Sequence, residues 1–438
     1  MDIKGAKEKV EKEIRALRKE KKKGIRRICV EIEECDPLLW LRSQKFEKIF
    51  YWKDRSSSFS VSALGELISI KGGKIDEIFG KIKEYLERYP EIRFFGGSKF
   101  PSKKRGDEWI LFPDCYFFIP EFELVEKDRK TFLVCNIRTP VEDSFLERLE
   151  KIEEGKEVKE ANKAIYSERL DKPDKEKWKE MVREVIEEIE RKELVKLVLA
   201  RRSTFRLLNP FDVFSFLKDQ REESYHLIFQ PAKGISFISM SPERIYFRKD
   251  IEIETEAVAG TRKRGSNEKE DREISEELRK SKKELLEHRL VSKVLEEKMR
   301  NICSSFSIKE KEAILKLSYM QHLCTRFSGR LMPNVSDQDI IKSIYPNPAI
   351  GGYPVERAVE KINKIEEFDR GWYSGVFGWI GKESAEFIVT IRSALILEDK
   401  MHIYSGAGIV EGSDPEKEWE ELNSKIENFT SALRCLKT

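Results

Sequence analysis

Hydrophobic and polar positions follow one another along this chain in two rhythms, one of helical period and one of short apolar runs bounded by turn residues. Residues 4 to 23 follow the first, as a charged helix, and IRRICVEIE follows the second, as a strand. WLRSQKFEKIFYWKDRSSSFSVSAL predicts aromatic-rich strands joined by a polar turn from Asp54 to Ser58. Another charged helix is expected at about 79 to 89. IRFFGGSKF and WILFPDCYFFIPEFELV resume the strand pattern, interrupted at Pro113 and Pro120 because proline cannot donate to a ladder. Residues 1 to 140 thus predict a large antiparallel assembly with helices laid against it.

Residues 141 to 177 are polar, contain DKPDKEK and predict a surface connection. Beyond them Trp178, Met181, Val182, Val185, Ile186 and Ile189 recur on one helical face, and the helix runs into a strand at VKLVLARRS. Strand pairs follow around 224 to 230, 235 to 247 and 251 to 257. Residues 266 to 300 predict one long charged helical region with Leu285, Leu286, Leu290, Val291, Val294 and Leu295 as its apolar positions. WYSGVFGWIG, FIVTIRSALIL and MHIYSGAGIV return to strands, and a last helix begins near Pro415 and includes Trp419 and Leu422. With no fixed repeat and no low-complexity linker, a strand-rich half (1–140), a connection (141–177) and a second half (178–438) are expected to intertwine as one large domain.

Composition changes this picture little. In 438 residues, 39% are apolar and 38% charged, a globular chain with a heavily charged surface, and a net charge of +3 gives no reason to expect nucleic acid. The basic run RKEKKKGIRR, 18 to 27, is either an interaction arm or the solvated face of a Lys-rich helix. The seven cysteines are scattered without paired metal spacing, which predicts reduced thiols in a cytoplasmic protein. No apolar stretch approaches a membrane span, and the N-terminus has no signal-like apolar core.

Several charged groups fall where the pattern is otherwise apolar or tightly turning. Lys196 lies inside VKLVLA and shares a predicted strand face with Val198 and Ala200. An ammonium there must be paired, snorkel to solvent, or shed its proton more readily through desolvation, in which case it can serve as a general base. In SPERI, Glu243 is either a surface partner of Arg244 or, in a partly apolar site, a protonated general acid. AVAGTRKRG reads as an ordinary turn or as an anion loop, in which Gly260 permits close backbone approach and Thr261 with the basic residues satisfies the anion.

SGAGIVEGSDPEKEWEELNSK, 405 to 425, sets a compact glycine loop before Glu416, Glu418, Glu420 and Glu421. It is either a loop capping a solvated helix or a site in which amides hold an anion and carboxylates a cation. Glu418 and Glu421 share a helix face, and with Glu287 they could supply oxygen ligands to a divalent ion, magnesium being favoured by few ligands and retained waters. Arg392, flanked by apolar strand residues in FIVTIRSALIL, needs a partner, either a substrate carboxylate or an internal acid.

An ordered set of motifs runs through these residues: Lys196-Leu-Val-Leu-Ala-Arg201, Ser241-Pro-Glu243, Ala259-Gly-Thr261, Glu287-His288, Tyr345-Pro-Asn-Pro-Ala349 with Gly352-Tyr-Pro354, Thr390-Ile-Arg392, and the stretch to Lys425. Together they resemble the chorismate-binding enzymes, the isochorismate, salicylate, anthranilate and aminodeoxychorismate synthases. The resemblance is strong over about 190 to 430. PLLWL, FYWKD, FFGGSKF and FPDCYFFIPEFEL extend it more loosely into the N-terminal half, which looks most like menaquinone-type isochorismate synthases. It implies an α+β fold of the anthranilate synthase component I type, a large two-layered antiparallel sheet core with surrounding helices, in which 178–438 is the catalytic region.

The resemblance also implies roles. Lys196 would activate water for attack at C2 of chorismate, and Glu243 would protonate the departing C4 hydroxyl. Magnesium would be held by Glu287 and Glu421, with Glu418 direct or through water, and would neutralise and orient the ring carboxylate. Arg392 would hold the enolpyruvyl carboxylate, while the amides of Gly406, Ala407 and Gly408, with Lys425, Gly260 and Thr261, would complete the substrate site. Aminating members generally lack the lysine and tend to carry Ser-Gly-Ala-Pro-Lys where this chain has Gly-Gly-Tyr-Pro and Val355, and the aminodeoxychorismate enzymes can carry a lysine at the Ala259 position. Water is therefore the implied nucleophile. A salicylate synthase, which also eliminates pyruvate, is the nearest alternative, ahead of an aminating enzyme or an inactive binding protein. The expectation is a cytoplasmic monomer acting reversibly on a small molecule, with no nucleic acid, membrane or obligatory glutaminase partner.

Overall fold

The computed structural model describes residues 1–18, 23–156, 163–220, 223–317 and 319–436. Among them thirteen strands form one sheet and nine another, and both sheets draw on both halves of the chain. In the larger, Ile49–Lys53 pairs with Tyr225–Ala232, placing Phe50 opposite Phe229. In the smaller, Arg93–Ser98 pairs with Val376–Gly381, placing Phe95 opposite Trp379. Among the described residues the one parallel pairing joins Leu433–Cys435 to Ala164–Lys172. The α+β, two-layered antiparallel architecture is as expected, and in each sheet a block of strands from the first half abuts a block from the second.

Aromatic side chains fill the space between the sheets. Phe50 stacks on Phe377 with centroids 5.6 Å apart, and Phe229 on Trp372 at 5.4 Å. Each such buried ring contributes about 1.5–3 kcal/mol by leaving water. Helices Ile3–Leu17, Pro37–Ser43 and Val213–Asp219 cover the outer face of the larger sheet. Ile75–Arg88, Lys282–Ile302 and Asp337–Ile344 cover that of the smaller.

Local chemistry overrides the apolar pattern in several places. The WLRS that opens the expected strand run belongs to a helix, Pro37–Ser43, because the Asp36 carboxylate accepts the Leu38 and Leu39 amides at 2.8 and 3.2 Å and Pro37 suits the first turn. The WILF segment begins in a 3₁₀ turn, Asp107–Trp109, which turns the Trp109 indole into the core to donate to the Asp369 carbonyl. The polar stretch 141–177 is more than a connection: it holds the helix Asp143–Glu150 and the strand Ala164–Lys172, polar because most of its side chains are exposed. The long charged region from 266 is two helices, Glu268–Lys280 and Lys282–Ile302, divided at Ser281, which caps both.

Residues 19–22 of the basic run lie outside the described residues. Its two ends are committed: Arg18 pairs with Asp143, and Arg27 lies in the strand Gly24–Ile32 with Glu123 at 2.6 and 2.9 Å. Among the described residues no helix is long and apolar enough to cross a membrane.

Candidate active site

The strand Lys196–Leu207 forms the floor of the site. Along one edge it pairs with Lys400–Ile409, Val198 opposite Gly408 and Ala200 opposite Gly406. MHIYSGAGIV is thus a strand, as its apolar rhythm predicts, and its glycines form no separate loop. It needs glycine for space: a Cβ at Gly408 would stand 2.4 Å from Glu287 Oε1 and 2.9 Å from Lys196 Cε, and one at Gly406 would stand 2.5 Å from the Tyr373 hydroxyl. Val198 N donates to the Gly351 carbonyl and Ala200 N to Glu366 Oε1, so ladder bonding falls to Leu199 and Ala407. That alternation turns the Gly406 and Gly408 amides away from the strand, while the Ala407 amide is spent in the ladder and its side chain packs in the core. On the other edge, between short pairings with Gly352–Tyr353 and with Ala164–Lys172, a buried ion pair takes the place of a strand. Arg370 donates to the Val198 carbonyl at 2.7 Å and pairs with Glu366 within the same turn of chain.

Two chain crossings between the sheets build the next wall. Pro242-Glu243 links Ile235–Ser241 in the larger sheet to Arg244–Lys249 in the smaller, and Thr390 to Arg392 makes the return from Ser384–Val389 to Ser393–Ile396. The crossings are stitched together: Val389 N donates to the Glu243 carbonyl at 3.2 Å and Met240 N to the Arg392 carbonyl at 3.0 Å. Arg392 holds φ +50°, a left-handed conformation costing a non-glycine residue about 1 kcal/mol or more. Its guanidinium donates to the Lys425 carbonyl at 3.4 Å.

Glu243 is 3% exposed, and its carboxyl accepts from Asn347 Nδ2 at 3.3 Å. Burial pushes its pKa up to about 8, with the Glu256 charge adding and the Asn347 hydrogen bond and Lys196 opposing. At neutral pH it carries its proton. Asn347 belongs to the Tyr-Pro-Asn-Pro-Ala segment and is held by accepting the Ala349 amide at 2.9 Å.

The opposite wall is made of carboxylate–lysine pairs. Lys196, with no exposed surface, lies 2.9 Å from Glu287 Oε1, close but poorly aligned, so that its ammonium has no acceptor in hydrogen-bond geometry. Burial pushes the Glu287 carboxyl up, but Lys196 beside it, with Lys283 and Lys425, outweighs burial and holds it below the usual carboxylate value. On the helix Pro415–Lys425, Glu421 pairs with Lys425 at 2.6 Å, and Lys425 Nζ donates to the Gly406 carbonyl at 2.7 Å. Glu418 pairs with Lys283, and its Oε2 is buried without a hydrogen-bond partner. Burial and the neighbouring Glu421 hold its pKa up to about 7 against Lys283.

Glu243, Gly260, Thr261, Glu287, Arg392, Gly406, Gly408, Glu421 and Lys425 all line one cavity enclosing about 730 Å³, part of it open to solvent. Lys196 stands behind Glu287, whereas Ala407 and Glu418 are not on its surface. The Ala-Gly-Thr segment is again a strand, Glu252–Lys263, with its register broken at Gly260 (φ +78°). The Thr261 amide is committed to Glu284 Oε2 at 3.0 Å and its hydroxyl to His322 Nδ1 at 3.0 Å.

Sequence reasoning passed over Asn347, Tyr373, His322 and Lys283. His322 lines the cavity with an unpartnered Nε2, and burial holds it well below the ordinary histidine value, hence uncharged. Lys283 lies one helical turn before Glu287, a spacing that alone marks it as a neighbour. Nothing local marks Tyr373 or His322, which arrive from distant strands and loops.

A family model for chorismate binding enzymes matches residues 11–434, and the chain belongs to that family. Within it, the chain is 32% identical over 437 residues to the isochorismate synthase MenF of Bacillus subtilis (strain 168), covering 92% of each chain. The structure of MenF, the menaquinone-specific isochorismate synthase from Escherichia coli, superposes with a TM-score of 0.86 at 25% identity, covering 97% of this chain and 99% of that one. Anthranilate synthase component I from Streptococcus pneumoniae TIGR4 shares the fold, with a TM-score of 0.70 at 19% identity over 85% of this chain and 92% of that one.

Proposed function

We propose that this chain is an isochorismate synthase, adding water at C2 of chorismate while the C4 hydroxyl leaves. The observation that carries the reading is Glu243, a carboxyl buried at the cavity wall whose proton is held up to about pH 8. A neutral acid is what a departing hydroxyl requires, and such transfers contribute roughly 10²- to 10⁴-fold in rate. Lys196 is the base. In its uncharged form Lys196 takes one proton from water while Glu243 gives one to the leaving hydroxyl, so substrate and product are isomers and the reaction runs in both directions. Arg392 holds the enolpyruvyl carboxylate, and Lys425 with the Gly406 and Gly408 amides fixes the bound acid. Because water is the nucleophile, no glutaminase subunit is needed.

The donor set suits magnesium. Glu287, Glu421 and Glu418 offer only oxygen, and the buried Oε2 of Glu418 lacks any hydrogen-bond partner. Among the described residues no three acidic, histidine or cysteine groups form a ready cation cage, each of these carboxylates standing beside a lysine instead. Bound there, magnesium would neutralise and orient the ring carboxylate.

Purified protein incubated with chorismate, with and without magnesium, tests the reading by liquid chromatography with mass detection. A metal-dependent product of unchanged mass and the retention of isochorismate is expected, and authentic isochorismate should run back to chorismate. Salicylate with pyruvate would make the chain a salicylate synthase. No turnover in either direction would overturn the reading.

A further inference from the structure

The N-terminal half reaches the acid through a group that the substrate chemistry leaves unused. Arg55 lies in the turn between the strands Ile49–Lys53 and Phe59–Leu64. That turn is tied down by Asp54, whose carboxylate accepts the Ser58 amide at 2.9 Å and the Ser58 hydroxyl at 2.7 Å. The Arg55 guanidinium crosses to Glu256 on the strand Glu252–Lys263 and meets both carboxylate oxygens, each at 2.8 Å. Two further bonds join this pair to the backbone around the acid. Arg55 Nη1 donates to the Pro242 carbonyl at 2.8 Å, and the Arg244 amide donates to Glu256 Oε1 at 3.0 Å. The residues before and after Glu243 are thus gripped by the two ends of one ion pair, whose side chains are 14% and 0% exposed.

A buried ion pair is a weak source of stability beside an apolar pair of the same volume, so its location is the informative feature. A planar, two-pronged guanidinium can hold a carboxylate and a carbonyl at once, and lysine cannot reproduce that fork. We infer that Arg55 and Glu256 clamp the Pro242–Arg244 turn and that Arg55 is a positioning residue for the Glu243 acid, supplied from the opposite half of the chain. This rests on the reading of Glu243 as the proton donor.

The clamp has an electrostatic side as well. The groups facing Glu243 are the Asn347 amide, Glu256 and Lys196, with Arg55 and Arg244 around Glu256 and with His322 and Arg392 across the cavity. Burial favours a protonated Glu256, but Arg55 and Arg244 outweigh burial and keep it ionised. Its charge helps Glu243 retain its proton, and Arg55 moderates that effect. Arg326, 3.7 Å from Glu256, remains as a counter-charge when Arg55 is removed.

The test is Arg55→Met, Arg55→Lys and Glu256→Gln in the full chain, assayed for chorismate turnover across neutral and alkaline pH with melting temperatures measured alongside. Arg55→Met is expected to lower kcat by on the order of 10²-fold, the cost of a misplaced reacting group, with KM within about threefold. Its alkaline limb moves to higher pH, because Glu256 then bears on Glu243 less compensated. In Glu256→Gln the limb moves to lower pH. Arg55→Lys recovers part of kcat. Parent-like kcat and an unmoved limb in folded Arg55→Met, or in Arg55→Lys and Glu256→Gln should Arg55→Met fail to fold, overturn the clamp. So do limbs that move the same way in both ends of the pair. Glu243→Gln assayed beside them separates the two readings: parent-like kcat there overturns the acid assignment, whereas its loss with parent-like Arg55 variants overturns the clamp alone.

Discussion

The two ends of the cavity treat buried carboxyl groups in opposite ways. At one end Glu243 faces an amide, Asn347, and burial leaves it protonated. At the other, Glu287, its side chain 14% exposed, has Lys196 at 2.9 Å and stays ionised. Of these two carboxyls, the one beside a neutral amide is an acid and the one beside a cation is an anion. An allylic substitution requires both within one small volume: a proton at the leaving group, and paired charge where a base, a metal and substrate carboxylates must be managed.

The largest effects should come from removing the chemistry at either end. Glu243→Gln and Lys196→Ala are each expected to lower kcat for isochorismate formation by about 10²- to 10⁴-fold, and near-parent kcat in either would remove that residue from its role. Gly408→Ala attacks the ion-pair end through sterics alone. Its methyl group would sit 2.4 Å from Glu287 Oε1, so kcat should drop by about tenfold or more while Glu243 keeps its elevated pKa, read from the alkaline limb of the pH profile.

Metal binding should divide the ends cleanly. Glu287→Gln and Glu421→Gln are expected to weaken magnesium binding by about tenfold or more in calorimetry, whereas Glu243→Gln should bind the metal like the parent. Equal weakening in all three would erase the distinction between the ends.

A smaller effect concerns stability. Glu243 is raised to about 8 in the folded chain, above its ordinary unfolded value, so the folded state holds the extra proton between the two. The stability it contributes is complete below the unfolded pKa and is lost as pH rises through the folded one. Glu243→Gln should consequently melt several degrees higher than the parent above pH 8 and match it near pH 4, even though it is inactive. The smallest change is expected from Asn347→Ala. Losing the hydrogen bond that favours the charged carboxyl should move the alkaline limb up by a fraction of a pH unit, and a downward shift would contradict the arrangement.

Much of this site was legible in the linear order of motifs. Lys196 on the apolar strand face and Glu418 and Glu421 on the last helix stand where pattern placed them, whereas Arg392, expected inside one strand run, sits at the crossing between Ser384–Val389 and Ser393–Ile396. The glycine run reads both as part of the strand MHIYSGAGIV and as a loop; the strand holds, and its glycines are there because Glu287, Lys196 and the Tyr373 hydroxyl take up the space of their missing side chains. WLRS reads as the head of a strand run, but the Asp-Pro cap just before it starts a helix that carries it.

Whatever depends on neighbours within a few residues is written in the linear order: the strand and helix rhythm, the faces on which charges fall, and the ordered motifs that mark the family. Which carboxyl keeps its proton, that Lys196 meets Glu287 and Lys283 meets Glu418, and that Arg55 grips Glu256 from 201 residues away follow only from the folded chain. The physical reason is one of range. Backbone periodicity is a local property, whereas the charge state of a buried group is set by burial and by the sign of whatever the fold brings within a few ångströms of it.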